Sequence, residues 1–246
     1  MTRTADAAVI EPLATGAELR VTGPLDGSPV LCLNGGTSTD RPGTWGASIR
    51  WIVRELAPEF PDRCFAEVRY RNRSWRRIES GVADAAAAAA VLADRTGRAP
   101  QVLGYSMGGA VGLILACRTP DIARFVGLAP WIPDQLDLAP LDGRRIDVIH
   151  GSLDGWLPLI PGVSVANSRR GVARAREAGA DAHHTVIRGA IHAVAFDGPG
   201  DLLIPAPRAG RWRDLARNAL APRSDALRPH ATPPGADARD AHRWAP

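Results

Sequence analysis

Ser106 is the residue of this chain best placed to act as a nucleophile. It stands in Gly104-Tyr105-Ser106-Met107-Gly108-Gly109, between a short apolar run at 101–103 and another at 110–116. The first reads as a strand and the second as a helix, the context of a nucleophile elbow. A serine at the tip of so tight a turn sits in strained backbone. The residues two before and two after it must be small for strand and helix to close on each other, and Gly104 and Gly108 are. Gly109 lets the helix lie close to the sheet. The result is an exposed hydroxyl at a helix N-terminus, where unpaired N–H groups favour a developing anion. A serine hydroxyl is a poor nucleophile until a base takes its proton. Neutral imidazole can take it near pH 7, with a carboxylate to orient the ring. Downstream, the candidate acids are Asp134, Asp137, Asp142, Asp147 and Asp154; the candidate bases are His150, His183, His184 and His192.

Those side chains must be brought together by the elements around them. Strands are expected at 18–23, 29–33, 64–70, 101–103, 124–128, 145–149 and 184–188. Helices are expected at 44–57, capped by Thr44 and stopped by Pro58, then at 76–95, 110–116, 163–178 and 208–220. In the second helix Ile78, Val82, Ala85, Ala86, Ala89, Leu92 and Ala93 follow helical spacing, and the alanine run is a close-packing helix former. Strands alternating with helices imply an α/β fold, a mainly parallel sheet with helices on both faces. In such sheets ligands bind beyond the carboxyl ends of the strands. The loops after Leu33, Leu103, Ile149 and Arg188 share that edge. On this reading His183 and His184 open the last strand at the opposite edge, and Asp147 lies inside a strand.

Composition excludes several function classes. The chain has 246 residues and is 45% hydrophobic, enough for one domain with a full core. All 30 basic residues are arginine and the net charge is +4, too mild to imply a nucleic-acid partner. Cys32, Cys64 and Cys117 lie in apolar runs without metal-ligand spacing, and read as buried thiols. No phosphate-binding loop is present, since the Gly-rich turn lacks a Gly-Lys-Ser/Thr ending. No cofactor, metal or membrane partner is expected. Met1 to Arg20 holds no signal peptide, so a cytoplasmic location is expected. The organisation reads as a lead-in at 1–17, a catalytic domain at 18–220 and a disordered or loosely docked tail at 221–246. The cluster Arg69, Arg71, Arg73, Arg76 and Arg77, with Trp75 among them, reads as a solvated helix entrance before it reads as an anion site.

Across 18–220 these pieces resemble the α/β-hydrolase family, by order as well as motif. That resemblance implies a nucleophile at the elbow, an acid after a later strand and a histidine after the last strand: Ser106, Asp154 and His192. The His150-Gly151-Ser152-Leu153-Asp154 context is similar to the family's acid loop. It also implies an oxyanion hole from the N–H of Met107 and one from Asn34-Gly35-Gly36-Thr37, with Gly36 first and Gly35 or Thr37 as alternatives, because many relatives carry a histidine where Asn34 stands. Many relatives insert a helical lid where this chain has only 131–143, which contains Pro133 and Pro140. Little or no lid is therefore expected, with Trp131, Trp156 and Thr37 as substrate contacts. The function implied is a serine esterase acting on a small-molecule ester. Thioester cleavage, acyl transfer and a non-catalytic binding module on the same fold are the alternatives.

Overall fold

The computed structural model describes residues 8–155 and 162–222. Ten strands and five α-helices form there, in the order β1 (Val9–Pro12), β2 (Glu18–Thr22), β3 (Ser28–Leu33), α1 (Ala47–Leu56), β4 (Arg63–Arg69), α2 (Ile78–Thr96), β5 (Gln101–Tyr105), α3 (Met107–Arg118), β6 (Arg124–Leu128), β7 (Arg145–Gly151), α4 (Val165–Glu177), β8 (Asp181–Ile187), β9 (Ala195–Asp197), β10 (Leu203–Pro205) and α5 (Ala209–Leu220). Strands β1 to β8 make one sheet in the order β1-β2-β4-β3-β5-β6-β7-β8. The pairs β1–β2 and β2–β4 are antiparallel, and every pair from β4–β3 to β7–β8 is parallel.

Strand side chains alternate between faces, so each parallel strand feeds two cores. In β3, Leu31 and Leu33 join one core while Val30 and Cys32 join the other. The first core is covered by α2, α3 and α4 through residues such as Val82, Ala85, Leu92, Val111 and Val172. The second is covered by α1 and α5 through Ile49, Ile52, Leu56 and Trp212. This double cover explains why the parallel strands read as continuous apolar runs. Helix α3 lies deepest, with every residue from Met107 to Ala116 buried.

The C-terminal end of α5 is held at the start of the sheet. Arg63, the first residue of β4, donates to the Leu220 carbonyl at 2.8 Å. Arg124, the first residue of β6, donates to the carbonyls of Ala219, Leu220 and Ala221 at 3.0, 3.2 and 2.8 Å. These cations satisfy carbonyls that a helix end leaves without partners.

The structure differs from the sequence reading in four places. Val9–Pro12, inside the stretch read as a lead-in, is an edge strand. The N-cap of α1 is Gly46, not Thr44; the Gly46 N–H is held by Asn34 Oδ1 at 3.2 Å, and Thr44 Oγ1 instead accepts from Arg73 at 2.8 Å. Strand β8 begins at Asp181, so His183 and His184 lie within it, opposite Asp147 and Val148, rather than opening it. The hairpin β9–β10 was not anticipated. Between β6 and β7, residues 129–144 carry only the 3₁₀ turn Ala139–Leu141, so no large lid is built there. Among the described residues no helix is long and apolar enough to cross a membrane.

Candidate active site

The elbow is set by backbone contact. Ser106 joins β5 to α3 with φ 54° and ψ −116°, in the half of conformational space that non-glycine residues rarely occupy. Such a residue carries on the order of 1–3 kcal/mol of strain and persists only where its surroundings enforce it. Here they do. The Ser106 N–H donates to the Leu128 carbonyl at 2.9 Å, and its own carbonyl accepts from Gly109 N–H at 3.0 Å. A Cβ on Gly104 would lie 2.4 Å from the Gly108 carbonyl oxygen, and one on Gly108 would lie 2.2 Å from that of Leu33. At Gly104 and Gly108 the contact is main chain to main chain, as the small residues at those positions require.

The acid and the histidine arrive on loops at the same edge of the sheet. The loops after β7 and β8 are joined by Ser152 N–H to the Ile187 carbonyl at 3.0 Å and Leu153 N–H to the Ala190 carbonyl at 2.9 Å. Asp154 Oδ2 lies 2.6 Å from His192 Nδ1, and His192 Nε2 lies 2.9 Å from Ser106 Oγ. All three side chains are buried, with 7%, 8% and 7% exposure for Asp154, His192 and Ser106. Burial by itself pushes the Asp154 carboxyl up, but hydrogen bonds from His150 and His192 outweigh it and hold the group below the ordinary carboxylate value. The acid is thus ionised where an imidazole exchanges its proton, as an orienting partner must be.

The rival residues are engaged elsewhere. Asp147 pairs with Arg145 at 2.7 Å, Asp134 faces Arg170 at 3.6 Å, and Asp137 accepts from Ala139 N–H at 3.0 Å. The Asp142 carboxylate packs beside Gly179. His183 pairs with Asp181 and His184 with Ser168 Oγ, at 2.8 and 2.9 Å. His150 is fully buried behind Asp154, with Nε2 2.8 Å from Oδ2.

The loop after β3 lies across the start of α3. Met107 is the first residue of that helix, so its N–H has no acceptor within the helix. A Cβ on Gly36 would sit 2.1 Å from Met107 Sδ, and one on Gly35 would be 3.5 Å from Ser106 Cβ. Both glycine backbones therefore stand beside Ser106 and Met107. Thr37 is turned away: its N–H donates to the Arg73 carbonyl at 2.7 Å and its hydroxyl to the Thr39 carbonyl at 2.7 Å. This removes it as an oxyanion donor, and it is not among the residues that line the cavity. Asn34 is a clamp, donating from Nδ2 to the Val68 carbonyl at 3.1 Å while Oδ1 holds α1.

A cavity of about 830 Å³ opens over Ser106 and His192. Trp75, Ile78, Trp131, Tyr105, Val163 and Ala193 give it apolar walls. Trp131 meets Trp75 edge to face, with ring centroids 5.1 Å apart. The segment carrying Trp131 is fixed by Asn167, whose Oδ1 accepts from Ile132 N–H at 2.9 Å and whose Nδ2 donates to the Ile132 carbonyl at 3.0 Å. Trp156 lies outside the described residues. Trp75, Ile78 and Asn167 were missed as site residues; the usable signal was Trp75 following β4 at the carboxyl edge. No Arg, Asp or Glu lines the cavity among the described residues. Three of the five arginines in the cluster pair with acids of the body: Arg69 with Glu18, Arg71 with buried Asp84 at 2.8 Å, and Arg77 with Asp40 at 2.6 Å.

Comparison with known proteins places the fold. No protein-family model matches the chain, and no curated protein matches it. Solved structures do. An α/β serine hydrolase homologue from Coxiella burnetii is 15% identical, with 90% of this chain and 100% of that one covered at a TM-score of 0.60. A dienelactone hydrolase from Anabaena variabilis is 14% identical over 88% and 97% at 0.60. Esterase 2 from Thermogutta terrifontis, in a structure phosphonylated by sarin, is 14% identical over 88% and 94% at 0.61. The chain has the α/β-hydrolase fold.

Proposed function

We propose that this chain is a serine hydrolase that cleaves a carboxylic ester through an acyl-enzyme. The observation that carries the reading is the unbroken line from Ser106 Oγ through His192 to Asp154, with spacings of 2.9 and 2.6 Å. His192 Nε2 takes the Ser106 proton as Oγ attacks the ester carbonyl carbon. The oxyanion that forms is met by the N–H groups of Met107 and Gly36. The tetrahedral intermediate then expels the alcohol, which leaves with the proton from His192. Water attacks the acyl-enzyme with His192 again as base, the carboxylic acid departs, and the proton returns to Ser106. Asp154 orients the imidazole and stabilises its charged form throughout. A dienelactone hydrolase and an esterase among the similar structures agree with this chemistry.

The cavity narrows the substrate. Among the described residues its walls offer no arginine to a second carboxylate, and two tryptophans meeting at an edge suit a short or ring-bearing acyl group held in an open cleft. A fluorophosphonate should label the protein once, at Ser106, and Ser106→Ala should abolish both labelling and ester turnover. Rates on a C2 to C16 aryl ester series should fall with chain length, without a jump at the micelle concentration. Labelling at another serine would end the assignment; a maximum at long chains would end the open-cleft reading.

A further inference from the structure

The catalytic line leaves one feature of the acid unexplained. Asp154 is held by two histidines, not one. His192 Nδ1 and His150 Nε2 approach the same oxygen, Oδ2, at 2.6 and 2.8 Å. His150 Nε2 also lies 2.9 Å from the Val163 carbonyl. Both of its neighbours are acceptors, so Nε2 carries a proton and donates. The Val163 N–H in turn donates to Asp154 Oδ1 at 2.9 Å. Acid, second histidine and Val163 thus close a ring of hydrogen bonds, and Val163 is also a wall of the cavity.

The other nitrogen makes the case sharper. Among the described residues, His150 Nδ1 is buried and has no hydrogen-bond partner. A buried polar atom left without a partner is destabilising, and an apolar side chain would fill the same space without that cost. The polar contribution of His150 is therefore all at Nε2, directed at the acid and at the cavity wall. The other titratable group facing it is His184, on β8, with ring centroids 6.5 Å apart; Nε2 of that ring is held by Ser168 Oγ on α4.

We propose that His150 is a positioning residue for the reaction: it fixes the Asp154 carboxylate against His192 and ties the acid to the Val163 wall. The inference rests on the serine-hydrolase reading above. Its prediction concerns the speed of serine activation more than ground-state affinity. A hydrogen bond to a charged group of this kind corresponds to a loss of roughly 10- to 100-fold when deleted.

The test compares His150→Leu, His150→Gln and His150→Asn, using fluorophosphonate labelling and hydrolysis of p-nitrophenyl acetate. In glutamine the amide nitrogen can stand where Nε2 does; in asparagine it stands near Nδ1. His150→Leu should lower kcat and the labelling rate together by roughly 10- to 100-fold, with KM changed less than kcat. His150→Gln should recover most of both, and His150→Asn should not. The Gln and Asn pair decides the matter if the leucine variant does not fold. Labelling at the wild-type rate in His150→Leu or His150→Asn, or a glutamine variant as slow as asparagine, would overturn the proposal. Absence of labelling at Ser106 in the wild type would instead overturn the hydrolase reading on which it rests.

Discussion

The Ser106 side and the Asp154 side of this site are built by different physics. Ser106 is fixed by main-chain contact, at glycines where any Cβ would collide with a carbonyl. Asp154 is fixed by side-chain hydrogen bonds from His150 and His192 and by the N–H of Val163, groups 4, 38 and 9 residues away in sequence. The first arrangement is steric and independent of charge, and it too reaches across the chain, to the carbonyls of Leu33 and Leu128. The second is electrostatic, and it joins β7, the loop after β8 and the entrance to α4. A change at the elbow should therefore register as stability, and a change at the acid as rate.

The largest effect that tests this contrast is on the acid. Asp154→Asn should lower ester turnover by on the order of 10⁴ while the circular dichroism spectrum stays native, because the imidazole loses its orienting anion. A variant that unfolds, or one that turns over normally while Asp134→Asn or Asp142→Asn is inactive, breaks the assignment.

The matching change on the other side is Gly108→Ala. Its methyl would lie 2.2 Å from the Leu33 carbonyl and 2.5 Å from that of Asn34, neither of which can move without shifting β3. Loss of about 3 kcal/mol or more in urea unfolding is expected, as for other overpacked backbone contacts. A stable, fully active variant would show that the elbow has slack and that the contrast is drawn too firmly.

The smallest effect concerns pH. Burial first, then the charges of His150, Arg169 and Arg176, pushes His184 down from 6.5 to about 4. A histidine whose folded value is depressed stays neutral in the native state while the unfolded chain takes up a proton. Stability therefore falls as pH drops from 6.5 towards 4, and is fully present above that window. His184 is only half-buried, so solvent screening reduces the effect to about 1 kcal/mol or less. His184→Gln should flatten the melting curve against pH in that window by about 2–4 °C. An unchanged slope would mean that this side of the site is less electrostatic than its geometry implies.

The same division explains what could be read from the sequence. The parallel strands and the elbow were legible because each depends on neighbours within a few residues: an apolar run, a small residue at a fixed offset, a helix stop. The strand assignment alone set aside Asp147, inside a strand, and His183 and His184, at the opposite edge; the choice of Asp154 and His192 among the rest came through a resemblance in motif and order. The contact between His150 and Asp154 was not legible, because a histidine at a strand end packs or donates with equal ease. Trp75 was read with the arginines around it. Its placement as a cavity wall depends on Trp131, 56 residues later (131 − 75), meeting it edge to face. The strands β9 and β10 are three residues each, with Phe196 and Ile204 exposed, so alternation had too few positions to show.

The mooring of α5 by Arg63 and Arg124 has a practical consequence. Both arginines begin their strands, whereas Ser106, Asp154 and His192 lie past the far ends of theirs. At about 3.3 Å per residue, a five-residue strand such as β6 sets these two ends roughly 17 Å apart. A handle that replaces residues 223–246 therefore starts from the floor of the molecule. Coupled to a bead or an electrode through that handle, the protein should present its cavity outward, to the solution rather than to the support. Immobilisation through that handle should retain turnover.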